Sequence, residues 1–297
     1  MADEILKIEN ICKRYGNVEA LNNLSLSIFA GQVFGILGPN GSGKTTTLSI
    51  VMGINNQNSG SFMWFGQMNV NQNKKRIGSL VETPNFYPYL TAEQNLTITA
   101  KIKEIPVSDI DRVLTITGLI ERKHYRFDTF SLGMKQRLSL AAVLLGNPEV
   151  LVLDEPANGL DPQGIADIRE IIKNEATKGK TIIIASHILD EVEKVCTNVA
   201  ILKRGKLIKT GKMHELLSTN EQIFLSSDRN SELFEFLVRS SVCKNVTTTD
   251  KGILIDIQQP FNSAYINKLA FESGFMLNAI EPRTQSLEEQ YLELMKK

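Results

Sequence analysis

Residues 38–46 read GPNGSGKTT, after an apolar run at Val33–Leu37 and before a helical pattern at 45–52. This stretch matches the phosphate-binding loop GxxxxGK[ST], which lies between a buried strand and a helix. Its glycines let backbone N–H groups turn toward phosphate oxygens, and the following helix N-terminus adds a favourable dipole. The alternative is a glycine-rich turn that matches the pattern by chance. Such a turn would not need a strand before it and a helix after it. The stretch therefore predicts a phosphate-binding α/β fold.

The side chains of this loop suit a nucleoside triphosphate. Lys44 is expected to contact the β- and γ-phosphates, and the Thr45 hydroxyl is expected to hold Mg²⁺. The residues predicted to bind the nucleotide here are Gly38, Pro39, Asn40, Gly41, Ser42, Gly43, Lys44, Thr45 and Thr46.

A second stretch, VLVLDEPANGLDP, covers residues 150–162. It places Asp154 and Glu155 at the end of a buried strand, where open α/β sheets bind their ligands. Asp154 is expected to hold the metal ion, and Glu155 is the candidate general base for an attacking water. In isolation, such an acidic strand end would more often cap a helix or form a salt bridge. Beside a phosphate-binding loop, it predicts hydrolysis.

The order of elements predicts a first domain at residues 1–218. Strands at 5–11 and 24–29 predict an N-terminal antiparallel β subdomain, and further buried strands alternating with helices predict a parallel α/β sheet. Helices at 91–104, 108–117 and 132–145 predict a helical insertion at about 83–145. The remaining predicted elements of this domain are strands at 150–153 and 182–185, a helix at 164–177, a hairpin bracketed by Gly205 and Gly211, and a short helix at 213–217.

A change of pattern near Thr219 predicts a small α+β domain at 219–297. Its predicted elements are strands at 222–225 and 252–257 and helices at 231–239 and 261–273. This part of the sequence contains no motif with an associated chemistry.

With FSLGMKQR at residues 130–137, these motifs resemble the ATP-binding cassette family. Its signature is most often LSGGQ. Here Ser131 and Gly133 are kept, while Met134 and Lys135 replace the usual second glycine and glutamine. The resemblance implies a P-loop NTPase core that uses ATP and Mg²⁺. It also implies that Ser131 and Gly133 head a helix facing the γ-phosphate bound by a second copy of the chain, a role compatible with helix capping by Ser131.

Other residues occur in the order that the family has. By the same resemblance, Tyr15 would stack on adenine, Asp161 would lie in the loop crossing the dimer interface, and His187 would contact the γ-phosphate as a catalytic residue beside Lys44 and Glu155. A single histidine or tyrosine is more often structural, but the order relative to two strong motifs favours these roles.

One position departs from the family. Glu82 in LVETP stands where the family usually has a glutamine that reaches the metal or water and senses the membrane partner. A glutamate can coordinate Mg²⁺, but it adds negative charge and cannot donate a hydrogen bond when ionised. The alternative is a solvated loop residue. With the SLGMK signature, this residue makes the chain similar to the branch that exports bacitracin or confers immunity to lantibiotics.

Composition limits the partners. Lys+Arg and Asp+Glu both number 33, so overall charge indicates no nucleic-acid partner. The N-terminus lacks the pattern of a secretory signal, and no apolar run approaches the roughly 20 residues of a membrane span. The scattered Cys12, Cys196 and Cys243 indicate reduced thiols and no zinc site. We therefore expect a cytoplasmic chain, held at the inner face of the membrane by separate permease subunits.

Two other functions are alternatives to a transporter ATPase. A non-transport cassette ATPase acting in DNA repair or on the ribosome would usually carry a long coiled coil or a second cassette, and the sequence shows neither. A non-catalytic ATP-gated regulator is disfavoured because Lys44, Asp154, Glu155 and His187 are all present.

Overall fold

The buried apolar runs of the first 213 residues form strands, and the computed structural model describes residues 3–68, 73–81, 86–213, 215, 221–257, 261–284 and 291. The chain divides into two units, Met1–Met213 and His214–Lys297. The strands of the first unit are β1 (Glu4–Tyr15), β2 (Val18–Phe29), β3 (Val33–Leu37), β4 (Ser59–Trp64), β5 (Ile77–Leu80), β6 (Val150–Asp154), β7 (Thr181–Ser186), β8 (Asn198–Lys203) and β9 (Lys206–Lys212). Its helices are α1 (Lys44–Val51), α2 (Ala92–Ile102), α3 (Asp109–Ile116), α4 (Leu132–Leu144), α5 (Pro162–Thr177) and α6 (Leu189–Val195), with 3₁₀ turns at Lys74–Arg76, Ile120–Arg122 and Phe127–Thr129.

The central sheet of this unit has the order β5-β6-β7-β3-β8-β9. Its strands are parallel except β9, which pairs with β8 in the antiparallel sense. Every residue of β3 is buried, which explains its continuous apolar sequence. Leu37 pairs with Ser186, and Asp154 pairs with Ala185. The carboxyl ends of β3, β6 and β7 therefore meet at one edge of the sheet, which is where the predicted site residues follow.

A second sheet, antiparallel with the order β2-β1-β4, forms the predicted N-terminal β subdomain. Its buried side chains belong to the same core cluster as those of α1 and the central sheet. Trp64 of β4 is fully buried, and its Nε1 donates a hydrogen bond to the Val51 carbonyl oxygen at 2.7 Å. This contact attaches the antiparallel sheet to the helix that follows the phosphate-binding loop.

The predicted helical insertion is formed by α2, α3 and α4. A capping box begins α2, because Thr91 Oγ1 accepts from the Gln94 N–H and Gln94 Oε1 accepts from the Thr91 N–H. The predicted α/β class with an antiparallel subdomain and a helical insertion is thus confirmed. No helix among the described residues is long and apolar enough to cross a membrane.

The second unit is a small α+β fold, as predicted. In chain order its elements are β10 (Glu221–Ser226), α7 (Asn230–Arg239), β11 (Cys243–Thr249), β12 (Gly252–Ile257), α8 (Ser263–Glu272) and β13 (Ala279–Thr284). The sheet has the order β11-β12-β10-β13, and all of its pairs are antiparallel, which is the ferredoxin-like βαββαβ arrangement. The sequence did not predict β11 or β13. The predicted boundary at 218/219 and most of the predicted helix at 213–217 lie outside the described residues.

Candidate nucleotide-binding site

The phosphate-binding loop depends on two glycines with positive φ. Gly41 has φ +77° and Gly43 has φ +107°, values that side chains disfavour. A Cβ on Gly43 would come within 2.7 Å of Leu21 Cδ2 and 2.8 Å of the Ala20 carbonyl oxygen, because β2 passes beside the loop. A Cβ on Gly41 would have nothing within 4 Å. The loop is therefore packed against β2 at Gly43 and open to a ligand at Gly41.

The N-terminus of α1 is arranged to receive an anion. No side chain caps this helix, and its first turn contains no acidic residue. In contrast, side chains cap α2, α4 and α5 at Thr91, Ser131 and Asp161. The first N–H groups and the positive end of the helix dipole of α1 are therefore available to phosphate oxygens. This geometry fits the predicted nucleotide.

Lys44 lies almost entirely inside the loop, with 5% of its side chain exposed. Its Nζ donates to the Gly38 carbonyl oxygen at 2.8 Å and lies 3.3 Å from Glu155 Oε1. An ammonium group at this depth requires such partners, because burying an unpaired charge is costly. Glu155 thus supplies the negative charge that balances Lys44.

Glu155 follows β6 directly and has φ +46°, in the left-handed region. Its own N–H donates to the Ala185 carbonyl oxygen at 2.9 Å, which fixes this backbone conformation. Its Oε2 lies 2.8 Å from His187 Nδ1. Such a conformation costs a non-glycine residue about 1–3 kcal/mol and is concentrated at functional sites. The structure therefore brings together the three predicted catalytic residues, Lys44, Glu155 and His187.

The predicted metal ligands are oxygen donors on two packed elements. Thr45 is exposed in the first turn of α1, and Asp154 is the last residue of β6, against which α1 packs. Among the described residues, no group of three or more His, Cys, Asp and Glu side chains could hold a metal ion. Mg²⁺ is usually bound by one or two protein oxygens together with phosphates and water, so Thr45 and Asp154 fit it. Glu82 lies outside the described residues.

Tyr15, predicted to contact adenine, is the last residue of β1. Its side chain is 46% exposed, and Lys13 Nζ lies 4.9 Å from the centre of its ring. The ring can therefore stack on a planar base without moving buried groups.

The signature residues form a separate group. Ser131 Oγ accepts from the Met134 N–H at 3.3 Å, and Asp161 Oδ1 accepts from the Gly164 N–H at 3.0 Å. Together with Gly133, these two cap residues line one open surface depression. None of the lining residues, all of them described, belongs to the loop at 38–46. Within one chain, the signature residues and the phosphate-binding loop thus do not share one depression.

Gly205 supports the phosphate-binding loop, a role that the sequence did not reveal. Its N–H donates to the Ser42 carbonyl oxygen at 2.9 Å, and its carbonyl oxygen accepts from the Asn22 N–H at 2.9 Å. A Cβ on Gly205 would lie 2.6 Å from the Ala20 carbonyl oxygen. The sequence predicted only that Gly205 and Gly211 bracket a hairpin, whereas Gly205 lies at the turn between β8 and β9. Its contact with residues over 150 positions earlier has no local signal.

The chain is similar to proteins of one family over almost its whole length. The family profile described as ABC transporter matches residues 21–158. The bacitracin transport ATP-binding protein of Bacillus licheniformis is 38% identical, over 98% of this chain and 97% of that protein. The lantibiotic transport ATP-binding protein of Streptococcus pyogenes is 38% identical, over 78% of this chain and 99% of that protein. The solved structure of cbiO1 from Clostridium perfringens, part of the ABC transporter complex cbiONQ, is 31% identical with TM-score 0.66, over 73% of this chain and 92% of that one.

Proposed function

Because this chain belongs to the ATP-binding subunits of ABC transporters, we propose that two copies close around ATP and hydrolyse it in composite sites, each built from both copies. ATP binding and ATPase activity are properties of this family, and neither a non-transport ATPase nor a non-catalytic regulator is favoured. The composite arrangement and the roles of individual residues are the parts that we propose.

One observation supports the composite site above all. Lys44 of the phosphate-binding loop contacts Glu155, which contacts His187, whereas Ser131 and Gly133 lie at an exposed helix N-terminus whose depression contains no residue of that loop. A helix N-terminus attracts phosphate, but this one has no phosphate-binding loop beside it in its own chain. A second copy would supply the loop to each signature, and the pairing would be symmetric.

The chemistry follows from the contacts of Lys44. A nucleotide in the loop brings phosphate charge that competes with Glu155 for the Lys44 ammonium group. Once Lys44 turns to the β- and γ-phosphates, Glu155 Oε1 is free to accept the proton of a water attacking the γ-phosphorus, while His187 holds Oε2. Mg²⁺ held by Thr45 and Asp154 would neutralise charge on the β- and γ-phosphate oxygens.

Replacing Glu155 tests the general-base assignment. Glu155→Gln keeps the shape of the side chain but cannot accept the proton, so phosphate release should fall by about 10²-fold or more. ATP should still bind through Lys44, and an ATP-loaded dimer should accumulate in size-exclusion chromatography. Glu170→Gln, an exposed position on α5, is the control. Hydrolysis by Glu155→Gln at the wild-type rate would contradict the assignment.

We also propose a separate permease as the partner, with this chain held by it at the inner face of the membrane. A groove runs between β5 and the helical insertion, and its lining includes Phe86, Tyr87, Ile98 and Ile102. Tyr87 is 48% exposed and Ile102 is 78% exposed. Exposed apolar side chains along a groove are typical of a protein interface. This surface suits a helical segment of a membrane subunit.

For the cargo, we propose export of, or immunity to, peptide antibiotics such as bacitracin and lantibiotics. The support is that two similar proteins carry the names bacitracin transport and lantibiotic transport ATP-binding protein. Cells that express this chain with the proposed permease partner should tolerate more bacitracin or lantibiotic than cells that express the Glu155→Gln chain with the same permease. Equal inhibitory concentrations for the two strains would contradict the proposed cargo and leave the ATPase intact.

A further inference from the structure

Arg169 on α5 and Glu191 on α6 form a bidentate ion pair. Arg169 Nε donates to Glu191 Oε2 at 3.1 Å, and Arg169 Nη2 donates to Glu191 Oε1 at 2.5 Å. The Arg169 side chain is 23% exposed and the Glu191 side chain is 15% exposed. Two parallel hydrogen bonds fix both the distance and the orientation of the planar groups, and partial burial reduces solvent screening. This pair is therefore stiffer than the exposed ion pairs of the molecule.

The pair joins the two helices that follow predicted site residues. Asp161 caps the start of α5, and His187 lies two residues before the start of α6. No side chain caps α6 at Ile188, whose N–H instead donates to Ser186 Oγ at 3.0 Å. Glu191 lies in the first turn of α6. The ion pair thus restrains the first turn of α6, which begins two residues after His187.

Packing alone leaves the start of α6 only partly fixed. On one side, Val192 fits closely over β3, since a Cβ on Gly35 would lie 2.6 Å from Val192 Cγ1. On the other side, a small apolar cavity lies between α5 and α6. Its lining includes Pro156, Ile165, Ile168, Ile188, Arg169 and Glu191. Side chains that border empty space lose the contacts that would resist a shift, so the ion pair is the stiff contact on this side.

The same cavity touches the segments that carry the chemistry. Pro156 follows Glu155 directly, and Ser186 and Ile188, both in the lining, flank His187. A shift of α6 into the cavity would therefore change the separation of His187 Nδ1 and Glu155 Oε2, now 2.8 Å. A displacement of about 1 Å at a reacting group costs as much as 10²-fold in rate.

We propose that Arg169 and Glu191 are positioning residues for hydrolysis: their ion pair holds the start of α6 so that His187 keeps Glu155 aimed at the attacking water. Because Asp161 caps the N-terminus of α5, the pair also transmits displacements of Asp161 to His187. The proposal rests on the proposed roles of Glu155 and His187.

Substituting glutamine at either position tests the pair at nearly constant volume. Arg169→Gln and Glu191→Gln should each lower kcat about tenfold and leave KM for ATP within about twofold, because the loop at Lys44 is untouched. The double variant should lose no more than either single variant, since one interaction is removed in all three. Arg169→Lys keeps the positive charge but cannot form the bidentate contact, so its kcat should lie between those of Arg169→Gln and the wild type.

Lys194→Gln is the matched control. It removes an ion pair with Asp190 on the same helix, but the Lys194 side chain is 46% exposed and neither Lys194 nor Asp190 lines the cavity. Its kcat and KM should equal those of the wild type. Thermal unfolding followed by Trp64 fluorescence shows whether each variant is folded at the assay temperature. A purely structural role would lower the unfolding temperature without lowering kcat of the folded protein.

Two results would overturn the proposal. One is a wild-type kcat in folded Arg169→Gln and Glu191→Gln, and the other is additive losses in the double variant, which would assign the residues separate roles. If the glutamine variants do not fold, Arg169→Lys and Glu191→Asp are measured in the same way, and a wild-type kcat in both counts against the proposal.

Glu155→Gln is assayed in parallel. If it hydrolyses ATP normally, the proposed general base fails. If it is inactive while the pair variants are normal, only the ion-pair proposal fails.

Discussion

Glu155 has one electrostatic role in the structure and a second in the proposed mechanism. Without a phosphate nearby, its carboxylate lies between Lys44 Nζ and His187 Nδ1, at 3.3 and 2.8 Å, and balances the buried ammonium group. When phosphate binds Lys44 in place of Glu155, the carboxylate keeps only His187 as a partner and can accept a proton. Its positive φ keeps it in this place, because the Glu155 N–H is anchored on Ala185 of the neighbouring strand. The resting contact thus prevents an unpaired charge and prepares the base.

Lys103 is a second lysine with an unusual environment. It follows α2 as the C-cap residue, and its Nζ donates to the Ala142 carbonyl oxygen of α4 at 2.8 Å. Burial lowers the pKa of Lys103 from 10.5 to about 8. Folding therefore stabilises the neutral amine, which can still donate a hydrogen bond to Ala142.

This pKa predicts a specific dependence of stability on pH. Between pH 8 and 10.5 the unfolded chain binds more protons at Lys103 than the folded chain, so the contribution of Lys103 to stability rises with pH. The free energy of unfolding of the wild type, measured relative to Lys103→Met by urea unfolding with Trp64 fluorescence, should increase across this window by at most about 3 kcal/mol. Lys101→Met, at an exposed position of the same helix, is the control. A difference that does not change with pH would contradict the prediction.

The helix N-termini of the first unit fall into two kinds. Thr91, Ser131 and Asp161 cap their helices with side-chain oxygens, and each cap could be anticipated from a polar residue before an apolar pattern. The helix α1 has glycine before it and no side-chain cap. The helices α3 and α6 also lack side-chain caps but carry acidic residues in their first turns, whereas α1 has none. The start of α1 is therefore where we propose that phosphate binds. Ser131 and Asp161 cap their helices and also line the depression that, in the proposed dimer, contacts the second copy.

Some elements have strong local signals and were predictable from the sequence, whereas others were not. Continuous apolar runs such as Val33–Leu37 predicted the parallel strands β3, β6 and β7, because both of their faces are covered. The parallel strands β5 and β8 were not predicted. The strand β11 reads CKNVTTT and β13 reads AIEPRT, with few apolar residues and Pro282 in the latter. Both are edge strands, where polar residues and proline are tolerated and the apolar signal is weak.

The residue types of the site were predictable, but their spacing in three dimensions was not. The motifs identified Lys44, Glu155 and His187 separately, and the sequence offered no indication that Glu155 would pair with both of the others. Its backbone conformation depends on a hydrogen bond to the neighbouring strand. Likewise, Arg169 and Glu191 lie 22 positions apart on different helices, beyond the reach of any pattern within one helix.

The whole chain combines an ATPase unit with a second unit that has its own core. The first unit carries one phosphate-binding loop and one signature, and the depression that the signature lines contains no residue of that loop. The second unit folds around a separate apolar cluster and contains none of the predicted site residues. On this account an isolated chain holds two half-sites and hydrolyses ATP only when a second copy completes each of them.

Mixing two inactive variants tests the composite site most directly. Lys44→Ala removes the lysine with which the loop would contact phosphate and leaves the signature unchanged. Gly133→Asp keeps the loop and places a negative charge where the signature would meet phosphate, and its Cβ meets nothing within 4 Å, so the fold is preserved. Each variant alone should release almost no phosphate, whereas an equal mixture should recover up to about a quarter of the wild-type rate, from mixed dimers with one intact site. A mixture as inactive as its components, with mixed dimers present, would contradict the composite site.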